Sequence, residues 1–93
     1  MSLVLTGLAQ SSVRTQELVA RVSKAATALY ARSYTLRKAK EAGDVKAATA
    51  VEKAVEEYTD QRSAAWAELL ETHTLSVVKD LLEDYEEEQR YLD

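Results

Sequence analysis

Gly43 and Asp44 divide this chain of 93 residues into two long segments. The sequence has no proline, and its other glycine, Gly7, lies near the N-terminus. Glycine is favoured in the left-handed conformation just past the end of a helix, and aspartate accepts hydrogen bonds from the free N–H groups at a helix start. The pair therefore predicts that one helix ends and the next begins here, in an all-α fold.

The first segment has the apolar spacing of an amphipathic helix, and we expect a helical arm over about residues 8–42. Its apolar positions follow a heptad seam. They are Leu18, Val22, Ala25, Leu29, Leu36 and Ala39. Arg32 interrupts this seam as a polar residue.

The second segment carries two apolar stripes, and we expect a second arm over about residues 45–90. The first stripe consists of Ala48, Val51, Val55, Tyr58, Ala65 and Leu69. The second stripe consists of Trp66, Leu70, His73, Val77 and Leu81. Arg62 interrupts the first stripe as Arg32 interrupts the first arm. Polar residues at seam positions are typical of devices that fix the register of two helices, so both arginines are predicted to have this role.

The second segment has one weak point, at Thr72, His73 and Thr74. β-branched threonines lower helix propensity, yet no glycine or proline follows Asp44. We therefore favour a second arm that continues to about residue 90. The alternative is a break at 72–74, after which a third helix folds back and forms a monomeric three-helix bundle.

An antiparallel hairpin about the turn pairs residues whose numbers sum to about 87, so that Leu18 faces Leu69. The same register places the apolar N-terminal residues Leu5 and Leu8 beside the end of the second arm. Because this match was not built into the register, it supports a long hairpin. We expect residues 1–93 to form one helical domain of this kind.

A single hairpin cannot bury both stripes of the second arm. The exposed stripe would form an apolar patch larger than the few hundred Å² that soluble monomers usually tolerate. Burial across a two-fold axis uses the same patch on both chains, so we predict a homodimer that forms a four-helix bundle. The predicted interface residues are Trp66, Leu70, Val77 and Leu81, together with the tyrosine pair Tyr30 and Tyr34, which lie one helical turn apart.

The net charge of −4 conceals an asymmetry between the two arms. Residues 1–43 carry seven basic and two acidic side chains, whereas residues 44–93 carry five basic and fourteen acidic ones. Charge patterns of this kind select pairing and orientation, within a chain or between chains. The overall negative charge argues against binding to nucleic acid, because it repels phosphate.

The residues that catalysis requires are scarce. The chain has no cysteine and one histidine, whereas a metal site needs three or four ligands. Glycine-rich phosphate loops and nucleophile motifs do not occur. We therefore expect no enzymatic activity, no cofactor and no metal. Since no apolar run approaches the ~18 residues of a membrane span, we also expect no membrane partner and a cytoplasmic location.

The sequence thus favours a helical module that self-associates and binds another protein. The alternative is a small acidic inhibitor, or nucleic-acid mimic, that occupies a basic groove of its target. A nucleic-acid binder that uses the basic first arm is the weakest of the three hypotheses.

Overall fold

The computed structural model describes residues 11–92, which fold into three α-helices. Helix α1 comprises Val13–Glu41, helix α2 comprises Val45–Thr72, and helix α3 comprises Leu75–Leu92. No strand occurs in this part of the chain, which confirms the predicted all-α fold. Helices α1 and α2 form the long antiparallel hairpin, and α3 packs mainly against α1.

The hairpin turns at Gly43 and Asp44. Gly43 has a φ of 73°, in the left-handed region. The N–H groups of Gly43 and Asp44 donate to the carbonyl oxygens of Lys40 and Ala39, at 3.1 and 3.0 Å, and so form a Schellman motif that satisfies the end of α1. The Asp44 carboxylate accepts from the N–H of Ala47 at 3.1 Å and caps α2.

Helix α1 begins directly after Ser12, later than the sequence predicted. The Ser12 hydroxyl oxygen accepts a hydrogen bond from the N–H of Thr15 at 3.1 Å, which makes Ser12 the N-cap. The predicted positions of Leu5 and Leu8 beside the end of the second arm lie outside the described residues.

The second arm does not continue to about residue 90, so the favoured prediction of a continuous helix is wrong. Helix α2 ends at Thr72, and His73 is extended, with φ −131° and ψ 153°. The Thr74 hydroxyl oxygen accepts from the N–H of Val77 at 3.3 Å, which caps the start of α3. The break therefore lies at the threonines of the alternative prediction, because a threonine side chain can replace helical hydrogen bonding at a cap.

The core lies at the end of the molecule where α3 folds back. One cluster of buried side chains joins the three helices: Leu18, Val19, Val22, Ala65, Leu69, Val78 and Leu81. Trp66, Leu82 and Tyr85 pack against it and are partly buried. Leu18 and Leu69 belong to the same cluster, in agreement with the predicted hairpin register. We call this region, residues 11–25 and 63–92, the base.

The rest of the hairpin, residues 26–62, is a two-helix extension that we call the distal arm. Within it, Ala48 is the single buried side chain. The large apolar seam residues of the distal arm are half-buried: Leu29, Leu36, Val51, Val55 and Tyr58. Two helices alone cover only one side of each other's apolar face, so these side chains stay in partial contact with water.

Candidate interaction surfaces

The fold separates the four residues of the second apolar stripe that were predicted to form the dimer interface: Trp66, Leu70, Val77 and Leu81. Leu81 is 4% exposed and lies in the core of the chain itself, so its prediction as an interface residue is corrected. Leu70 and Val77 remain exposed, at 41% and 42%. Trp66 is half-buried and packs against the core. The fold of α3 onto α1 accounts for the change, because it buries one member of the stripe and leaves Leu70 and Val77 outside.

A shallow groove follows the outer surface of α2 beside this stripe. Its lining consists of Arg62, Ser63, Trp66, Ala67 and Leu70. These residues come from consecutive turns of one helix, so the groove combines an indole, an aliphatic side chain and a guanidinium along one line. Such a combination is typical of the residue types enriched at protein–protein interfaces.

Tyr30 and Tyr34 lie on the distal arm and are exposed, at 82% and 53%. Two cations lie over the Tyr34 ring: the Arg37 guanidinium carbon is 5.3 Å and the Lys38 ammonium nitrogen 5.5 Å from the ring centroid. Both distances permit cation–π attraction. Tyr30, Ser33, Tyr34 and Arg37 line one concave site. We call Tyr30, Tyr34, Arg37 and Lys38 the aromatic–basic patch.

The aromatic–basic patch continues a face of α1 that is buried at the base. Val19, Ala26, Tyr30, Tyr34 and Arg37 are separated by three, four or seven residues, so they lie along one side of the helix. Val19 is completely buried in the cluster that contains the α3 residues. The same face is uncovered further along, because α3 packs on the base.

Arg32 and Arg62 are both exposed. Neither forms an ion pair with another residue between positions 11 and 92. Within the hairpin, neither arginine has the acidic partner that its predicted role in fixing the register would use. A straight helix rotates by about 20° per heptad relative to a strict seven-residue repeat, which moves a seam position toward solvent in a long uncoiled pair.

An arginine that the sequence analysis did not single out forms the principal ion pair across the hairpin. Arg14 donates from Nε and Nη2 to the two carboxylate oxygens of Glu68, each at 2.8 Å. The Arg14 hydrogen bonds lower the pKa of Glu68, and the Glu68 hydrogen bond raises the pKa of Arg14. The hairpin register gave only an approximate signal for this pair: it places position 73 opposite Arg14, and Glu68 lies five residues, or about 1.4 turns, from that position.

His73 belongs to a small polar network at the base. Its Nε2 lies 3.2 Å from Oγ1 of Thr15, which also accepts a hydrogen bond from the Ser12 hydroxyl at 3.0 Å. The network joins the loop between α2 and α3 to the start of α1. The single histidine therefore has a structural contact at the junction of all three helices.

Helix α3 presents a row of carboxylates to solvent. Asp80, Glu83 and Glu86 are exposed, and Asp84, Glu87 and Glu88 are half-buried. In the described part of the chain, no cation lies within ion-pair distance of any of these six. The acidic face of α3 and the aromatic–basic patch are therefore separate surfaces of opposite charge.

Among residues 11–92 there is no group of three or more side chains that could hold a metal ion. No helix in this range has both the length and the apolar character needed to cross a membrane.

The chain matches no protein-family model, and no curated protein or solved structure shows significant similarity to it.

Proposed function

We propose that this protein is a non-enzymatic helical module that self-associates and binds another protein. The observation that carries the proposal is the uneven coverage of the hairpin. The base has a three-helix core, whereas the distal arm exposes part of its apolar seam and the tyrosines of its aromatic–basic patch. Exposed apolar and aromatic surface of this kind marks a contact with another macromolecule.

Self-association is supported by the α2 groove and its neighbours. Trp66 and Leu70 line the groove on α2, Val77 of α3 is exposed as well, and Leu81 lies in the core. A two-fold contact would cover the groove on both chains at once. Tryptophan supplies much of the binding energy in many interfaces, because it buries a large area with little loss of conformational freedom.

Sedimentation equilibrium at micromolar protein concentration tests self-association. We expect a dimer for the native chain and a shift toward monomer for Trp66→Glu and for Leu70→Glu, since each substitution places a charge in the contact. Ala64→Glu is the matched control, because Ala64 is an exposed residue of the same helix. A native chain that stays monomeric would contradict the self-association part of the proposal.

The acidic face of α3 favours a second candidate function, an inhibitor that occupies a basic groove. Asp80, Glu83 and Glu86 offer exposed carboxylates at spacings set by the helix. Affinity capture of the native partner at about 100 mM and about 500 mM salt separates the two functions, because screening weakens charge contacts more than apolar ones. Loss of the partner at the higher salt would favour the inhibitor, and retention would favour the packed interface.

A further inference from the structure

We propose that the aromatic–basic patch of one chain binds the acidic face of helix α3 of a second copy, and that the two copies exchange this contact reciprocally. The inference deepens the self-association proposed above and rests on it. It adds a second pair of surfaces to the two-fold contact of the α2 groove, so that the attraction between copies is electrostatic as well as apolar. Two observations carry it: the charge of the two surfaces and the continuity of the α1 face.

The two surfaces carry opposite charges. Within one chain, no cation of the aromatic–basic patch forms an ion pair with a carboxylate of α3. The patch contributes Arg37 and Lys38, and Lys38 has an ion pair only with Glu41 of its own helix, at 3.7 Å and well exposed. None of the α3 carboxylates meets a cation of residues 11–92 within 4.0 Å. A basic surface and an acidic surface on one molecule attract each other between copies, and this attraction also orients the copies.

The uncovered part of the α1 face gives the second copy's α3 a surface to lie on. At the base, this face buries Val19 in the cluster shared with Val78 and Leu81 of α3. Further along, the same face carries Tyr30 and Tyr34 with no covering helix. The second copy's α3 keeps Val78 and Leu81 in its own core, so it would meet Tyr30 and Tyr34 with its exposed acidic face. Tyr30 and Tyr34 suit a contact that is partly polar, because a tyrosine ring is apolar while its hydroxyl can remain hydrated.

A reciprocal arrangement also provides enough contact area. Helix α3 has 18 residues, so it is about 27 Å long and about 10 Å wide. One such contact covers too little surface for a specific dimer. Where α3 lies along the whole uncovered stretch of α1, residues 26–41, two contacts related by a two-fold axis would together cover roughly 1,000 Å² of the two chains, about what a specific interface requires.

Charge-reversal variants of the full chain test the proposal. The patch variant carries Arg37→Glu and Lys38→Glu, and the helix variant carries Glu83→Lys and Glu86→Lys. All four positions are exposed, and circular dichroism checks that each variant keeps its helicity. In sedimentation velocity, each variant alone should form dimers with a dissociation constant at least about tenfold higher than that of the native chain.

An equimolar mixture of the two variants is the decisive sample. In a mixed dimer, the acidic patch of one chain meets the basic α3 of the other, and the basic patch meets the acidic α3. Both contacts are again attractive, so the mixture should dimerise within about threefold of the native dissociation constant. A defect of folding or of an unrelated surface would not be repaired by mixing.

A matched control excludes a general effect of net charge. Glu56→Lys with Asp60→Lys changes two exposed acids on α2 and gives the same net charge as the helix variant. Because its patch and its α3 are native, it should dimerise with itself, but it should not draw the patch variant, followed by a fluorescent label, into mixed dimers. Mixed dimers of the control and the patch variant that are as tight as those formed with the helix variant would overturn the proposal. A native dimer that neither reversal weakens would also overturn it while leaving self-association intact, and a native chain that stays monomeric would overturn both.

Discussion

The guanidinium of Arg14 donates a hydrogen bond of 2.8 Å to each carboxylate oxygen of Glu68, which lies 54 positions further along the chain. The pair joins the first turn of α1 to the last turns of α2 and closes the base of the hairpin at its surface. Both side chains remain about half exposed, at 51% and 40%. The ion pair therefore helps to set the register of the helices, while the apolar cluster beneath it supplies most of the packing.

The first prediction concerns pH. Because the pKa of Glu68 is lowered in the folded chain, its contribution to stability is present above the ordinary carboxyl value of 4.5 and is lost as the pH falls through the folded pKa. Glu68→Gln should therefore lower the melting temperature slightly near neutral pH. The difference from the native chain should disappear in acid.

Thermal melts followed by circular dichroism, one set near neutral pH and one below the folded pKa of Glu68, measure this effect. Glu71→Gln is the control, because Glu71 is exposed and has no ion pair with a described residue. A difference for Glu68→Gln that stays the same in acid would show that the carboxylate charge does not contribute.

The second prediction concerns the turn. Apart from Gly43 itself and its two chain neighbours, no residue has an atom within 4 Å of a Cβ placed on Gly43, so a substitution there meets backbone strain and no collision. Gly43→Val should destabilise the fold by about 1–2 kcal/mol, because a β-branched residue disfavours a φ of 73°. Gly43→Asn should cost less, since asparagine tolerates the left-handed region. Urea denaturation provides both values, and equal costs for Val and Asn would argue against strain as the cause.

The third prediction concerns the break between α2 and α3. Thr74→Ala removes the hydroxyl oxygen that accepts from the N–H of Val77 and should destabilise the fold by about 1 kcal/mol. Thr72→Ala is the matched control, because it replaces the neighbouring threonine without touching this cap. Chemical denaturation of both variants measures the contrast. If Thr72→Ala costs as much as Thr74→Ala, the cap does not define the break.

The fourth prediction tests the fold of α3 onto α1. Leu81→Ala should cost about 2–4 kcal/mol, because it leaves a cavity in the core. Val77→Ala, on the exposed side of the same helix, should cost less than about 0.5 kcal/mol when measured on the monomer. Denaturation at several protein concentrations separates this effect from dimer dissociation. A small cost for Leu81→Ala would show that α3 does not pack as described.

Local sequence determined the hairpin. The turn at Gly43 and Asp44 depends on a backbone conformation that favours glycine and on a cap that aspartate supplies, and both are properties of neighbouring residues. The register followed from the turn and the heptad seam, which is why Leu18 and Leu69 share one cluster as predicted. The six residues of the predicted interface were harder to assign, because the exposure of each side chain depends on every helix that packs nearby.

The tertiary structure alone decided the path of the chain after Thr72. Threonine is compatible with a helix interior and with a cap, so the sequence at 72–74 permits both a continuous arm and a break. The break lets α3 fold back and bury Val78 and Leu81 against Val19, which a continuous helix would leave far apart. Burial of apolar surface thereby outweighs the few hydrogen bonds lost at the break, and it removes Leu81 from the surface while Leu70 and Val77 stay there.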